Sequence, residues 1–360
     1  MNELTEASIK LILVNQSHSG GYIASPNFRV YRYSWYRDGA FIAHAMLLSD
    51  QIESARKFHN WAAENINIRS NQIHQLLDKK KKGIHISPEE HLHCRYTIDN
   101  KESEEEWTSY QLDGFGTWIW SLDEFYKFTH ELDNKSLEAT SLLIPYLSEF
   151  WQDGQFDWWE ESFGHQHIST IGSIAVGLKR CADWQALSPE LRTLARNTTK
   201  EIEHYIYSKG VKDGHLIKWI GSEEVDGSLA ALISPLGLID PSSELAIKTV
   251  SEIKNQLGLL GTRRHVNDVY FGGGRWLILS CFLALSLIKI GDFESAKEVI
   301  TWLESQADSD LELPEQVGDD LLFPEAKKEW VAKWGEPAKP LLWSHAMYLM
   351  LNSELNKVLN

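Results

Sequence analysis

Asp157-Trp158-Trp159-Glu160-Glu161 sets two adjacent carboxyls directly behind two indoles. Indole rings exclude water, and the charge of one glutamate disfavours ionisation of its neighbour. Both effects raise the pKa of whichever carboxyl is more enclosed. A carboxyl that keeps its proton near neutral pH can protonate a leaving oxygen, which is what a general acid does in glycoside cleavage. The same residues could equally form the edge of a Trp-rich core with two solvated glutamates beyond it, since structural networks also perturb carboxyls. A second carboxyl, in Pro314-Glu315-Gln316, falls in an acidic, irregular stretch where a lone glutamate ordinarily faces solvent.

Tyr31-Arg32-Tyr33-Ser34-Trp35-Tyr36-Arg37-Asp38 crowds four aromatics and three charges into eight residues. Arg37 and Asp38 are either a buried ion pair or part of a rim whose paired charges hydrogen-bond a neutral polyol. Other chemistries find less support. His91-Leu92-His93 and His165-Gln166-His167 lack a third ligand at matching spacing, so they read as polar histidines rather than a metal site. Gly272-Gly273-Gly274 lacks the flanking strand and the Lys-Ser/Thr of a phosphate loop. No serine or cysteine sits in a nucleophile-elbow context.

The 360-residue chain is 43% hydrophobic and 24% charged, as expected of an ordinary soluble globular protein. Its net charge of −16 disfavours nucleic acid and anionic membranes and favours neutral or cationic ligands. Fifteen tryptophans supply faces that can stack on sugar rings or fill a core. Cys94, Cys181 and Cys281 are scattered and odd in number, which suits a reducing compartment. With an acidic N-terminus, no signal-peptide pattern and no run long enough to span a bilayer, a cytoplasmic location is expected.

The elements that must position these residues are helical. Apolar periodicity predicts helices over about 3–15, after Asp38 to Leu48, on to about Ile66, after Gln111–Gly116 with Trp118, Leu122 and Phe125 on one side, over 134–151, 167–185 and 188–207, and again up to Ile290, to about Leu303 and from Leu342 to about Leu355. Ser188-Pro189 and Asp240-Pro241 have the form of helix starts. Lys79–Lys82 reads as a solvated basic loop, Leu92–Ile98 with Asp99-Asn100 as a small hairpin, and Glu102–Glu106 as an acidic loop tip. Roughly a dozen helices in consecutive pairs, joined by alternately long and short connections, suit helical hairpins around an axis. Function would then gather at the end that carries the long, aromatic loops. With no linker or low-complexity stretch, residues 1–360 are expected to form one domain.

The order of motifs resembles glycoside hydrolase family 15, the glucoamylase and glucodextranase type, from about Tyr31 to Leu351. The resemblance rests on Tyr31 with Trp35-Tyr36-Arg37-Asp38, on Trp107 before Gln111, and on Asp157-Trp158-Trp159-Glu160-Glu161. It continues through Arg264 before Asp268, Glu315-Gln316 and Trp343-Ser344-His345. It implies an all-α (α/α)6 barrel of six helical hairpins, without the N-terminal β-sandwich or the carbohydrate-binding module found in some relatives. By resemblance Glu160 is the general acid and Glu315 the general base, acting from opposite faces of the sugar. Inversion then requires roughly 6.5–9.5 Å between their carboxyls, to admit a water. Tyr31, Arg37, Asp38, Asp157, Arg264, Asp268 and Trp343 match family residues at the substrate site. Trp35, Trp107 and Trp159 would wall the pocket, and Glu161 would face the leaving sugar. The implied activity is exo-hydrolysis of short α-glucosides to β-glucose, with the α-1,6 bond of isomaltose first among the substrates. The α-1,4 bonds of malto-oligosaccharides, or trehalose, are the alternatives within the chemistry, and a catalytically silent sugar-binding barrel is the alternative outside it. Neither metal nor organic cofactor is implied.

Overall fold

The computed structural model describes residues 2–103 and 107–359. In chain order the α-helices are α1 (Glu3–Val14), α2 (Tyr36–Leu48), α3 (Ile52–Asn67), α4 (Ser70–Lys81), α5 (Asp113–Thr129), α6 (Asn134–Phe150) and α7 (Ile168–Cys181). They continue with α8 (Pro189–Lys209), α9 (Glu244–Leu257), α10 (Leu277–Ile290), α11 (Phe293–Glu304), α12 (Pro324–Trp334) and α13 (Leu342–Leu359). Polar side chains start several of them. Asn2 accepts from the Thr5 N–H at 2.8 Å, and Asp133 from the Ser136 N–H at 2.8 Å.

Six segments form a closed inner ring. α2 packs on α5, α5 on α7, α7 on a 3-10 turn at Gly227–Leu232, that turn on α10, α10 on α13, and α13 again on α2. Outside them lie α1, α3, α6, α8, α9 and α11, each against inner elements. The result is an (α/α)6 barrel. Sequence separates the two layers. Every residue of α10 from Leu277 to Ile288 is buried, as an all-apolar helix must be. α8, by contrast, buries only the stripe Ala195, Thr198, Thr199, Ile202 and Ile206. Between α5 and α7 the backbones touch. A Cβ on Gly116 would stand 2.3 Å from the Ser173 carbonyl oxygen, so only glycine fits there.

The long connections each precede an inner element, at 15–35, 82–112, 151–167, 210–226, 258–276 and 305–341. The N-termini of the inner ring therefore open toward the loops rich in aromatic and charged residues. Short antiparallel pairings pin these loops over the ring. β1 (Ser34–Trp35) pairs with β2 (Arg95–Tyr96), β3 (Val211–Lys212) with β4 (His215–Leu216), and β5 (Arg275–Trp276) with β6 (Gln316–Val317).

Four segments differ locally from what the sequence predicts. Lys79–Lys81 are not loop but the last turn of α4, where cations suit the helix dipole and Lys80 reaches Asp153 at 2.7 Å. The segment around Tyr96 forms no local hairpin; its partner is β1, some sixty residues earlier. α9 begins at Glu244, capped by Ser243, while Asp240 instead accepts from the Ser242 N–H in a turn. α12 was not anticipated. Of the loop tip expected at Glu102–Glu106, residues 104–106 lie outside the described residues. Among the described residues, no helix is long and apolar enough to cross a membrane.

Candidate active site

A cavity of about 370 Å³, within the usual range for small-molecule sites, opens at the loop-bearing end of the barrel. Tyr31, Trp35, Arg37, Asp38, Trp107, Trp159, Glu160, Glu161, Arg264, Glu315 and Trp343 all line it. Two residues expected at the substrate, Asp157 and Asp268, are not on its wall. Each stands behind a residue that is, and holds it in place.

Asp157 organises the turn that carries Glu160. Its Oδ1 accepts from the backbone N–H groups of Trp159 (3.0 Å) and Glu161 (2.8 Å), and its own N–H donates to the Glu161 carbonyl at 3.0 Å. These bonds hold Glu160 at φ +63°, a left-handed conformation that costs a non-glycine residue about 1–3 kcal/mol. Burial lifts Asp157 to about 7, opposed by the Lys218 ammonium 3.9 Å away. Lys218 itself is buried between Asp157 and Asp226, and Asp226 accepts from the Trp159 indole N–H at 2.9 Å. Nothing in the sequence motif pointed to Lys218 or Asp226.

The strained turn aims Glu160 into a cage of donors. Trp35 Nε1 donates to its Oε1 at 2.5 Å and Trp107 Nε1 to its Oε2 at 2.8 Å, while the Cys94 sulfur lies 3.8 Å from Oε1. Burial raises the Glu160 pKa, while the cations Arg37 and Arg95 and the two indole N–H groups hold it back. Arg95 sits over the rings of Tyr33, Trp35 and Trp107, at 4.2, 5.0 and 4.3 Å from their centroids. It arrives through the pairing of β1 with β2, a long-range contact with no signature in the sequence.

Glu161 has a different environment. Burial pushes its carboxyl up, but Arg264, donating from 3.0 Å, and His265 overcome that and hold it at about 2. Arg264 is clamped from behind by both oxygens of Asp268, at 2.8 and 2.5 Å, a bidentate arrangement that fixes the guanidinium plane. Arg37 is held in a parallel way. Its Nη1 donates to Asp113 at 2.9 Å, and its guanidinium lies 5.6 and 5.5 Å from the centroids of Trp158 and Trp343. Asp38, whose Oδ2 lies 3.7 Å from Arg37 Nε, is lifted by burial to about 7 despite that cation, and that oxygen accepts no hydrogen bond from the protein. The two readings of the Arg37–Asp38 pair thus converge: it is buried, and it still lines the cavity.

Glu315 is only 2% exposed. The pairing of β5 with β6 fixes the chain directly after it, and its own N–H donates to the Ala338 carbonyl at 2.9 Å. Tyr31 donates its hydroxyl proton to Glu315 Oε1 at 2.8 Å, and the Tyr31 and Tyr270 hydroxyls lie 2.9 Å apart. Burial lifts Glu315 to about 8, with Tyr31 and Arg264 pulling down and the carboxyls of Asp38 and Asp268 adding to the rise. Its Oε2 is buried without a hydrogen-bond partner. The Tyr31 and Trp35 rings touch edge to face at 5.6 Å, so neighbouring residues of one loop serve the two carboxyls.

The histidine pairs are packing residues. His91 stacks on Tyr110 at 3.8 Å and shares a hydrogen bond with Tyr146 at 2.9 Å, and His165 stacks on Trp219 at 4.5 Å. Trp330, Lys333 and Trp334, which complete one side of the cavity, come from α12 and were missed by the sequence reading.

Comparison with known proteins gives the site its context. The family model for glycosyl hydrolases family 15 matches residues 3–312. An isomaltose glucohydrolase from Kribbella flavida is 39% identical over 366 residues, covering 99% of this chain and 93% of the relative. A glycosidase variant solved in complex with glucose superposes with a TM-score of 0.94 at 38% identity, covering 98% of this chain and 96% of that one. A bacterial glucoamylase complexed with acarbose shares the fold at TM-score 0.75 and 18% identity, over 99% of this chain and 56% of that one.

Proposed function

The chain belongs to glycosyl hydrolase family 15, and from that premise we propose that it is an exo-acting, inverting α-glucosidase. It removes β-glucose from the non-reducing end of short α-glucosides, with the α-1,6 bond of isomaltose as its principal target. The observation that carries this reading is one cavity holding Glu160 and Glu315 together, with buried, clamped charges at Arg37, Asp38 and Arg264 beside them. Such fixed charges suit the hydroxyls of a single neutral sugar ring.

In this reading Glu160 gives its proton to the glycosidic oxygen as the bond from that oxygen to the anomeric carbon breaks. A water attacks the same carbon from the opposite face, and Glu315 Oε2 takes the proton that the water loses. Positive charge developing on the ring is met by the surrounding carboxyls, and hydrogen bonds from Arg37 and Arg264 strengthen as the ring flattens. Tyr31 orients the base, while Trp35 and Trp107 orient the acid. Asp157 and Asp268 act one step back, holding the Glu160 turn and the Arg264 fork.

Identity to an isomaltose glucohydrolase over nearly the whole chain favours isomaltose over maltose or trehalose. Cys94, Cys181 and Cys281 are free and buried, which fits a reducing compartment and a cytoplasmic enzyme acting as one barrel domain. The test is kcat/KM on isomaltose, maltose, trehalose and dextran, with the product anomer followed by proton NMR. Isomaltose should lead and β-glucose should appear before mutarotation. α-Glucose appearing first would refute inversion, and hydrolysis of none of the four would refute the glucosidase reading.

A further inference from the structure

α12 is an outlier in this barrel. It belongs to neither ring, and none of its residues is buried, yet Trp330, Lys333 and Trp334 all border the cavity. The helix is anchored at one end by the Phe323 N–H donating to the Gly272 carbonyl at 2.9 Å. Along its length, Trp330 packs on Tyr270 and Phe271, with centroids 4.8 and 6.0 Å apart. At its far end Trp334 meets Trp107 at 6.3 Å. Trp107 is the residue whose indole N–H holds Glu160 Oε2.

That chain of contacts locates α12 relative to the chemistry. The sugar that leaves is attached to the oxygen that Glu160 protonates, so its ring must lie next to Glu160. Of the residues that line the cavity, Trp107 and Thr108 hydrogen-bond Glu160 itself, Trp334 packs on Trp107, and exposed Lys333 adjoins Trp334. Lys333 has ring neighbours, its ammonium 4.9 Å from the Trp334 centroid and 5.7 Å from that of Trp330, and no carboxylate partner among the described residues. Lys327, one and a half turns earlier, faces Glu336 at 3.8 Å. A solvated lysine would not need two indoles beside it. An ammonium held by indole faces at the rim of a neutral sugar site keeps its three donors available.

We propose that α12 builds the subsite for the leaving sugar, Lys333 donating to hydroxyls of the second glucose and Trp334 extending the Trp107 wall along its ring. The proposal rests on the α-glucosidase reading above and adds to it the residues that recognise the group released. α12 thereby sets preference for the second ring and its linkage, and the buried cluster sets preference for the first.

The test compares two substrates in the full-length enzyme: isomaltose, which fills both subsites, and α-glucosyl fluoride, whose leaving group is a single atom. For Lys333→Ala and Trp334→Phe, the ratio of kcat/KM on isomaltose to kcat/KM on the fluoride should fall about tenfold, the effect of losing one good polar or stacking contact. Lys333→Arg, which keeps the donors, should recover most of that ratio. An unchanged ratio in both variants, whether both rates fall together or neither moves, would overturn the proposal and leave α12 a scaffold. Wild-type enzyme that hydrolyses neither substrate would instead overturn the glucosidase reading, so the two failures are distinct.

Discussion

The two carboxyls of the cavity are the same residue type in opposite settings. Glu160 sits on a strained turn, half-buried, with an indole N–H on each oxygen and two cations near it. Glu315 is deeper, with one phenol on one oxygen, nothing on the other, and the carboxyls of Asp38 and Asp268 raising it further. Burial raises both carboxyls; at Glu160 the cations Arg37 and Arg95 and two indole N–H groups oppose it, whereas at Glu315 Tyr31 and Arg264 oppose it and the carboxyls of Asp38 and Asp268 add to it. A substrate oxygen that accepts from Glu160 would favour its protonated form, and a water donating to Glu315 Oε2 would favour its ionised form, so a bound substrate would press the two carboxyls toward the acid and base roles proposed for them.

The sharpest way to break this comparison is to remove each carboxyl in turn. Glu160→Gln and Glu315→Gln should each lower kcat on isomaltose by about 10²–10⁴, the usual contribution of a positioned acid or base. They should part company on α-glucosyl fluoride, whose leaving group needs no proton. Glu160→Gln should recover most of its loss there and Glu315→Gln should not. Equal recovery in both would mean that the roles are misassigned.

Arg264 joins the two settings, since it holds Glu161 beside the acid and also lowers Glu315. Arg264→Met leaves Asp268 buried without its partner, and breaking such a pair costs about 3–5 kcal/mol. The expected outcome is a clear drop in Tm together with a raised KM. An unchanged Tm would show that the fold does not depend on the Arg264–Asp268 pair.

How much of this was legible in the sequence depends on what each residue answers to. Glu160, Glu161 and the Trp-Tyr-Arg-Asp run announce themselves because charge and aromatic rings adjoin in the chain. Asp157 and Asp268 were placed at the substrate by resemblance, and a matched motif does not tell a residue that faces the cavity from one that braces it. Arg95, Lys218 and Asp226 depend on loops from different hairpins meeting, and no local pattern records such a meeting. The helices divide in the same way. α10 is visible as an unbroken apolar run, whereas α4 buries only Ile73 and Leu76 and α12 buries nothing, so neither carries a strong period. The chemistry was legible where it is local, and the barrel where a helix has a core to face.

The smallest effects test the comparison most finely, through the pH dependence of kcat/KM, which reports the empty enzyme. Burial raises both carboxyls, Glu315 to about 8, and each has donors that oppose the rise. Tyr31→Phe removes a donor that favours charged Glu315, so the Glu315 pKa rises and one limb of the profile moves to higher pH, with a loss of about tenfold at the plateau from the missing orienting contact. Trp107→Phe removes a donor that favours charged Glu160, so the Glu160 pKa rises in turn and a limb moves up. The plateau should change only a few-fold, since the proposed acid holds its proton more firmly while one orienting contact is lost. The two variants should therefore move different limbs. A shift of the same limb by both, or of neither, would mean that the two carboxyls do not titrate as the separate acid and base of the reaction.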